Sequence, residues 1–342
     1  MLWGMRFLGF SGSVIVSLGM FFFLSYFPYT QPRAQNKRKE NNTDNSRHTI
    51  NLTNGLPSHG AFALYTTLHA DKAAHLPSSI PFSAGATIPT AFEAALCALC
   101  VHVQMHVINH VAVLGSASSP IPMLSLPYPA LNPIPSGKII FVHGAASSVG
   151  AMVVQVATAA GITVFATASE RHHAMVRECG AVAVWDYHDK NKFVGEVVAA
   201  VRAAISSPKT ATPPERKEKE KEKEKGNGNS KEPKFVGIVD AISQEDTYAT
   251  DLEILGQLGS GWLACTHPPP TKLPENVRAG MIFGVNEVAT PMWRGWVTPA
   301  LEKGRLKCLP RARVVGKGLE FIQTALELYE KGVSGEKLVV EL

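Results

Sequence analysis

Apolar and polar positions divide this chain into blocks of different period, and the first block is an unbroken apolar run. Phe7 to Tyr29 (FLGFSGSVIVSLGMFFFLSYFPY) carries no charge and has the length of a helix that crosses a bilayer. Residues 1–30 therefore read as a single-pass membrane anchor. Arg6 precedes the run while Arg33, Lys37, Arg38 and Lys39 follow it, which would hold the globular part in the cytoplasm. The alternative is a wrongly placed gene start, in which case the whole protein is cytoplasmic. Residues 31–58 are rich in Asn, Arg and Lys without apolar periodicity and read as a flexible tether.

Regular patterns begin near Gly60. Ala61–Leu68 reads as a strand, and Pro81 to Leu99 spaces its apolar residues as a helix does. The prolines from Pro120 to Pro135 exclude a helix and predict an extended crossover. From Lys138 the period switches repeatedly. Short apolar runs (IIFVH, ITVFAT, AVAVW) enclose helical patterns at Val149–Ala160 and Arg171–Cys179, and VGIVD, GWLAC and MIFGV follow with a helix over Asp246–Leu258. Alternation of this kind predicts an α/β fold with a parallel sheet. It is interrupted by residues 206–234, which include ERKEKEKEKEK from Glu215 to Lys225. Charges that change sign at nearly every step make no apolar face, so this stretch reads as a disordered, solvated insertion.

Composition sharpens the picture in three respects. A chain of 342 residues with 45% hydrophobic content can bury a substantial core in two domains, or in one with appendages. Its net charge of +5 is small, and many of its charges sit in the insertion, so no nucleic-acid partner is expected. Five cysteines, an odd number and mostly far apart, argue against a disulfide framework. Cys97 and Cys100 with His102, His106 and His110 have ligand-like spacing, the histidines four apart as on a helical stripe. The apolar, β-branched surroundings favour incidental spacing over a metal site.

The chemistry is concentrated at His143-Gly144-Ala145-Ala146-Ser147-Ser148-Val149-Gly150, between an apolar strand and an apolar helix. Gly144 permits a sharp turn, Ala145 and Ala146 keep the loop slim, and Gly150 lets the helix approach the sheet. Amides and the helix N-terminus can then face a diphosphate, with Ser147 and Ser148 adding hydroxyls. The end of the second strand reads Thr167-Ala168-Ser169-Glu170-Arg171. Ser169 and Arg171 suit a ribose 2′-phosphate, whereas Glu170, if turned inward, would suit the free diol of NAD. The balance favours NADPH.

These segments resemble the medium-chain dehydrogenase/reductase superfamily, in particular its quinone-oxidoreductase-like members and the fungal trans-acting enoyl reductases. The likeness runs from about residue 59 to 342, through GAFALYTTLHADKAAHLP, IPSGKIIFVHGAASSVGAMVVQVATAAG, CGAVAVWDYHD, VDAIS and KGVSGEKLVVEL. It implies a Rossmann-type doubly wound sheet joined to a GroES-like β domain. Of the latter, 59–135 would be a remnant with its crossover, 136–292 the cofactor domain, and 293–342 a return to the substrate domain. By the same likeness Gly144, Ser147, Ser148, Val149 and Gly150 would hold the diphosphate, and Ser169, Arg171 and Tyr187 the 2′-phosphate. Ser243 would lie near the nicotinamide. Ala94 stands where the family offers a threonine to that ring. The Gly-His-Glu segment and four-cysteine lobe of the zinc-dependent relatives are missing, so zinc-free hydride transfer to a small-molecule enoyl or quinone substrate is expected. The alternative is a catalytically inactive nucleotide-binding or partner-binding protein with an incomplete substrate domain. Relatives occur as monomers and as homodimers. Trp293 and Trp296 are expected to pack between domains, and His172 and His173 to sit exposed at a helix start.

Overall fold

The computed structural model describes residues 15–17, 49–51, 70–100, 105–108, 111–114, 124, 126–206, 233–282 and 287–342. Strands β1 (Ile15–Ser17), β2 (Thr49–Asn51) and β3 (Ala73–His75) precede helices α1 (Phe82–Gly85) and α2 (Pro89–Cys100) and an antiparallel pair, β4 (Met105–Ile108) with β5 (Val111–Leu114). The central unit alternates β6 (Lys138–His143), α3 (Ser148–Ala159), β7 (Thr163–Thr167), α4 (His173–Glu178), β8 (Ala183–Trp185) and α5 (Lys190–Ser206). It continues with β9 (Lys234–Asp240), α6 (Glu245–Leu258), β10 (Gly261–Cys265) and β11 (Val277–Met281). Helices α7 (Thr290–Gly295) and α8 (Val297–Glu302) lead to a closing β12 (Arg311–Lys317), α9 (Phe321–Glu330), β13 (Glu336–Glu341) unit whose two strands are parallel.

Strands β6 to β11 form one six-stranded sheet in the order β11-β10-β9-β6-β7-β8, every pairing parallel. The parallel sheet is what the alternating pattern predicts, and its doubly wound order is what the family resemblance implies. Strand β6 shows why its sequence is apolar at every step: Ile140 and Val142 enter the core beneath α2 and α3, while Ile139 and Phe141 enter the core beneath α5 and α6. A strand covered on both faces loses the alternation of a half-exposed one. The 19-residue stretch Phe82–Cys100 is apolar and long enough to cross a membrane, yet 72% of its best window is buried inside the protein. It is a core element here. Phe92 on α2 holds Trp293 edge-on at 5.2 Å and Trp296 stacked at 5.8 Å, and both tryptophans are buried.

Several elements differ from the sequence reading. Of the apolar run 7–29, Ile15–Ser17 is a strand antiparallel to β13, where a spanning helix was expected; the rest of the run lies outside the described residues. Thr49–Asn51 of the tether pairs with β3. The Ala61–Leu68 strand lies outside the described residues, as do 207–232 of the charged insertion. The single helix over 81–99 is two helices, because Pro89 disfavours helical backbone at Ile88 before it. His106 lies in a strand, which removes the helical stripe of histidines. The last strand of the sheet is Val277–Met281, four residues upstream of MIFGV. As an edge strand it is only partly covered and tolerates Arg278 and Gly280. Helix α5 was not anticipated, since its valines and Gly195 are weak helix formers. Tertiary packing fixes it by burying Phe193, Val194, Val197, Val198 and Val201.

The C-terminal unit packs on residues from the first half of the chain. Val339 of β13 packs on Ala86 just after α1, and the Lys337 ammonium donates to Thr87 O at 3.2 Å. Lys337 is buried, and that burial pushes its pKa down to about 8.

Candidate functional site

Chain connections leave β6 and β9 toward opposite edges of the sheet, and this reversal opens a crevice at the carboxyl ends of the strands. A groove of about 470 Å³ lies there. Four segments line it: His143, Gly144, Ala146 and Ser147 before α3; Ser169 with Arg171 and His172 after β7; Tyr187 and Lys190 after β8; and Ile242, Gln244, Asp246 and Thr247 after β9. Val333, Ser334 and Gly335, from the turn before β13, close the end near Arg171.

The loop before α3 owes its shape to spent hydrogen bonds. Gly144 adopts φ 72° and donates its N–H to Thr167 Oγ1 at 3.2 Å, while Ala145 N–H donates to Thr167 O at 2.8 Å. Ser147 caps α3, its Oγ accepting Gly150 N–H at 3.1 Å, and its own N–H donates to Gly144 O. The amides of Ala146, Ser148 and Val149 find no acceptor among the described residues. Three free donors at the head of a helix are what an anionic group needs. Ser148 Oγ is buried there without a partner. Ala145, by contrast, is fully buried in the core and Gly150 is a packing residue. Of the loop residues anticipated as cofactor-binding, Gly144, Ala146 and Ser147 have side chains or backbone lining the groove, Ser148 and Val149 are half-buried beside them, and Ala145 and Gly150 are buried.

Ser169, Arg171 and Tyr187 line the same groove. Asp186 makes this possible: its Oδ2 accepts Glu170 N–H at 3.0 Å and its Oδ1 accepts His188 N–H at 2.9 Å, tying the turn after β7 to the turn after β8. Those backbone donors, with the imidazole of His188, hold its carboxyl below the usual carboxylate range. Tyr187 stacks on His188 with ring centroids 4.3 Å apart. Glu170 is exposed and does not line the groove. Lys190 does, and it lies 3.9 Å from Asp246.

Beneath the groove runs a buried polar network. His143 Nδ1 lies 2.9 Å from Asp251 Oδ1, both residues under 5% exposed. Asp240 accepts Ile242 N–H and Ser243 N–H through Oδ1 and the Thr247 hydroxyl through Oδ2 at 2.6 Å. Burial pushes the Asp251 carboxyl up to about 7 against the pull of His143. Burial alone would lower His143, but Asp251, Asp240 and Asp246 together raise it. The buried imidazole and the Asp251 carboxyl are thus placed to share a proton. Among the described residues His143, Asp240 and Asp251 are a trio whose ligand atoms lie within 4.8 Å of one another. A metal would have to displace three donors from Asp240, so the trio fits a proton-sharing network. Ser243 belongs to this layer. It has φ 56°, is buried, donates to Asp240 O at 2.9 Å and accepts Thr266 N–H at 2.8 Å, and it does not line the groove.

No protein-family profile matches the chain. It is similar to the dehydrogenase orsE of Emericella nidulans, at 44% identity over 86% of this chain and 75% of that protein. The chain belongs to the medium-chain dehydrogenase/reductase superfamily. The trans-enoyl reductase himH of Aspergillus japonicus is 29% identical over 86% of the chain and 72% of its own length. Among solved structures, an alcohol dehydrogenase superfamily protein from Novosphingobium aromaticivorans shares the fold with a TM-score of 0.59 and 13% identity, over 100% of this chain and 95% of that one. A mycobacterial protein, Rv1454c, solved with NADPH, shares it with a TM-score of 0.55 and 16% identity, over 96% and 91%. As a member of this superfamily the chain is an oxidoreductase.

For this oxidoreductase several groove residues escaped the sequence reading. His143 opened the loop motif but was given no role of its own, and Asp251, which lies under the groove, was an anonymous helix position. A carboxylate inside an apolar helical pattern (TDLEIL) and a histidine ending an apolar strand are weak signals singly; only the sheet brings them together. Lys190 and the turn Val333–Gly335 carried no local motif. His172 and His173, expected to be exposed, are both partly buried; His172 lines the groove and His173 Nε2 lies 3.0 Å from Ala168 O. Cys97 and Cys100 are buried in α2, while His102 and His110 lie outside the described residues. Ala94 is half-buried against the core around α2.

Proposed function

We propose that the protein is an NADPH-dependent, zinc-independent reductase that delivers hydride to an activated alkene or to a quinone or related carbonyl. The observation that carries the choice of coenzyme is that Ser169, Arg171, Tyr187 and Lys190 all line the groove while Glu170 does not. A guanidinium, an ammonium and two hydroxyls suit a 2′-phosphate. The free amides of Ala146, Ser148 and Val149, with the buried hydroxyl of Ser148, suit the diphosphate.

When bound, the coenzyme supplies the hydride. The residues of this chain then bind and orient: Arg171 and Lys190 neutralise phosphate charge, the head of α3 receives the diphosphate, and Ile242 offers apolar surface. The His143–Asp251 pair places a shared proton under the loop without touching a reacting atom in this arrangement. Catalysis would come mainly from positioning. Lack of a Gly-His-Glu segment supports the zinc-free reading.

Separate titrations with NADPH and NADH, followed by single-turnover oxidation of bound NADPH with enone and quinone acceptors, test the proposal. NADPH should bind at least about tenfold more tightly, and Arg171→Gln should abolish that difference. Equal affinities in the native protein defeat the coenzyme assignment. Binding without oxidation across the acceptor panel leaves a nucleotide-binding protein, the reading that Ala94 in place of a threonine favours. A membrane tether through residues 7–29 is proposed alongside, in competition with the pairing of Ile15–Ser17 on β13. Release of the native protein by alkaline carbonate refutes the tether.

A further inference from the structure

Three side chains from two distant parts of the chain close a ring of hydrogen bonds at the Arg171 end of the groove. Arg171 Nη2 donates to Ser334 Oγ at 2.9 Å, and Arg171 Nε donates to His172 Nε2 at 3.2 Å. His172 Nε2 lies 3.0 Å from the same Ser334 Oγ. Because Arg171 Nε–H can only donate, Nε2 is the acceptor and the imidazole proton sits on Nδ1; the Ser334 hydroxyl accepts from arginine and donates to Nε2, whose single lone pair the two donors share. Burial, then the Arg171 charge, lowers the His172 pKa, which favours the neutral imidazole that the ring requires.

The turn that carries Ser334 is seated tightly. Gly335 has φ 67°, and a Cβ there would lie 2.2 Å from His172 Cε1 and 2.5 Å from its Nδ1. The turn belongs to the β12-α9-β13 unit, more than 160 residues downstream of Arg171. Two of the five guanidinium N–H groups are spent in the ring. Three remain, enough for a bidentate contact with a phosphate.

We propose that Ser334 is a positioning residue for coenzyme selection, holding the Arg171 guanidinium and the His172 imidazole in a preformed ring that receives the ribose 2′-phosphate. This rests on the reading of the groove as a dinucleotide site. An arginine free to rotate must be ordered when phosphate arrives, and that cost weakens binding; one fixed beforehand escapes it. Because NADH brings no phosphate to Arg171, the advantage is confined to NADPH. Selection thus depends on a turn far along the chain as well as on the residues after β7.

The test compares Ser334→Ala and Ser334→Thr with the native full-length protein, titrating NADPH and NADH separately and recording thermal stability. Ser334→Ala should weaken NADPH about tenfold while NADH changes less than about twofold. Ser334→Thr, which keeps the hydroxyl, should restore most of the loss. Equal weakening of both coenzymes would assign Ser334 a merely structural role and overturn the proposal. Unchanged or tighter NADPH binding in Ser334→Ala would overturn it too, by showing that the hydroxyl is idle or competes with phosphate. If the native protein binds neither coenzyme, the dinucleotide reading itself falls, a result distinct from normal native binding with an indifferent alanine variant.

Discussion

Replacing Gly150 with alanine asks whether backbone packing at the head of α3 sets coenzyme affinity. A Cβ at this position would lie 2.4 Å from Gly144 O, 2.8 Å from Ala145 Cα and 3.0 Å from Gly144 C. Ordinary contact begins at 3.4 Å, so the loop must retreat by about 1 Å. All three obstructing atoms are backbone, and no side-chain rotation relieves them. A shift of that size would break the Gly144 N–H bond to Thr167 Oγ1, which is already 3.2 Å long. In its favour the alanine gains about 0.5–1 kcal/mol of helix preference over glycine. Against it stands an overpacking cost of about 1–3 kcal/mol. The balance is a loss of about 1–2 kcal/mol, or roughly 2–4 °C in Tm for a chain of this size. NADPH affinity should fall about tenfold or more as the amides of Ala146, Ser148 and Val149 leave their positions. Gly256 on α6 supplies the control, because it is exposed and a Cβ there meets nothing within 4 Å. Gly256→Ala should stabilise by about 0.5–1 kcal/mol and leave coenzyme binding unchanged. Fluorescence titration with NADPH and thermal denaturation of both variants provide the measurement. A Gly150→Ala protein that melts at or above the native temperature and binds NADPH normally refutes the argument that this close approach shapes the site.

The remaining predictions concern buried polar groups. Lys337 has a folded pKa of about 8, below its ordinary 10.5. The unfolded chain therefore binds a proton more tightly between these values, so its contribution to stability rises with pH across roughly pH 8–10.5 and is least favourable below pH 8. Lys337→Met should raise stability at pH 7 by about 2 kcal/mol and remove that slope, as read by urea unfolding at several pH values; a less stable variant refutes the assignment. Asp251→Ala leaves the His143 imidazole buried without its partner and should cost about 3 kcal/mol, whereas Asp251→Asn, keeping a polar partner, should cost markedly less. Chemical denaturation distinguishes the two, and equal losses would show that the pair is not the cause. Trp293→Phe removes the Nε1–H that donates to Glu93 Oε1 at 2.7 Å within the core. It should destabilise by about 1–3 kcal/mol without altering coenzyme affinity, and a stability unchanged in thermal unfolding would count against that hydrogen bond.

How far the sequence reached depends on the range of the interaction. Each central strand except the last was legible because burial on both sides makes a short run apolar at every position, as in IIFVH of β6. The edge strand at Val277–Met281 was misplaced for the converse reason, since partial cover leaves a mixed pattern. The loop before α3 was legible as a unit, for its glycines, small residues and serine cap act over a few positions. Which of its groups face the groove was not: the amides of Ser147 and Gly150 are spent internally, those of Ala146, Ser148 and Val149 are free, and Ser243 is committed to a turn.

By itself, then, the order of residues determined an alternating α/β unit, the place of the small-residue loop before α3, and the basic, hydroxyl-bearing turn at Ser169–Arg171. Those features follow from near-neighbour periodicity and local backbone geometry. Only the tertiary structure decided that His143 meets Asp251, that Asp186 joins two turns, and that Ser334 reaches Arg171 across more than 160 positions. Such contacts depend on strand order and on where the last βαβ unit docks, and no short stretch of sequence encodes either.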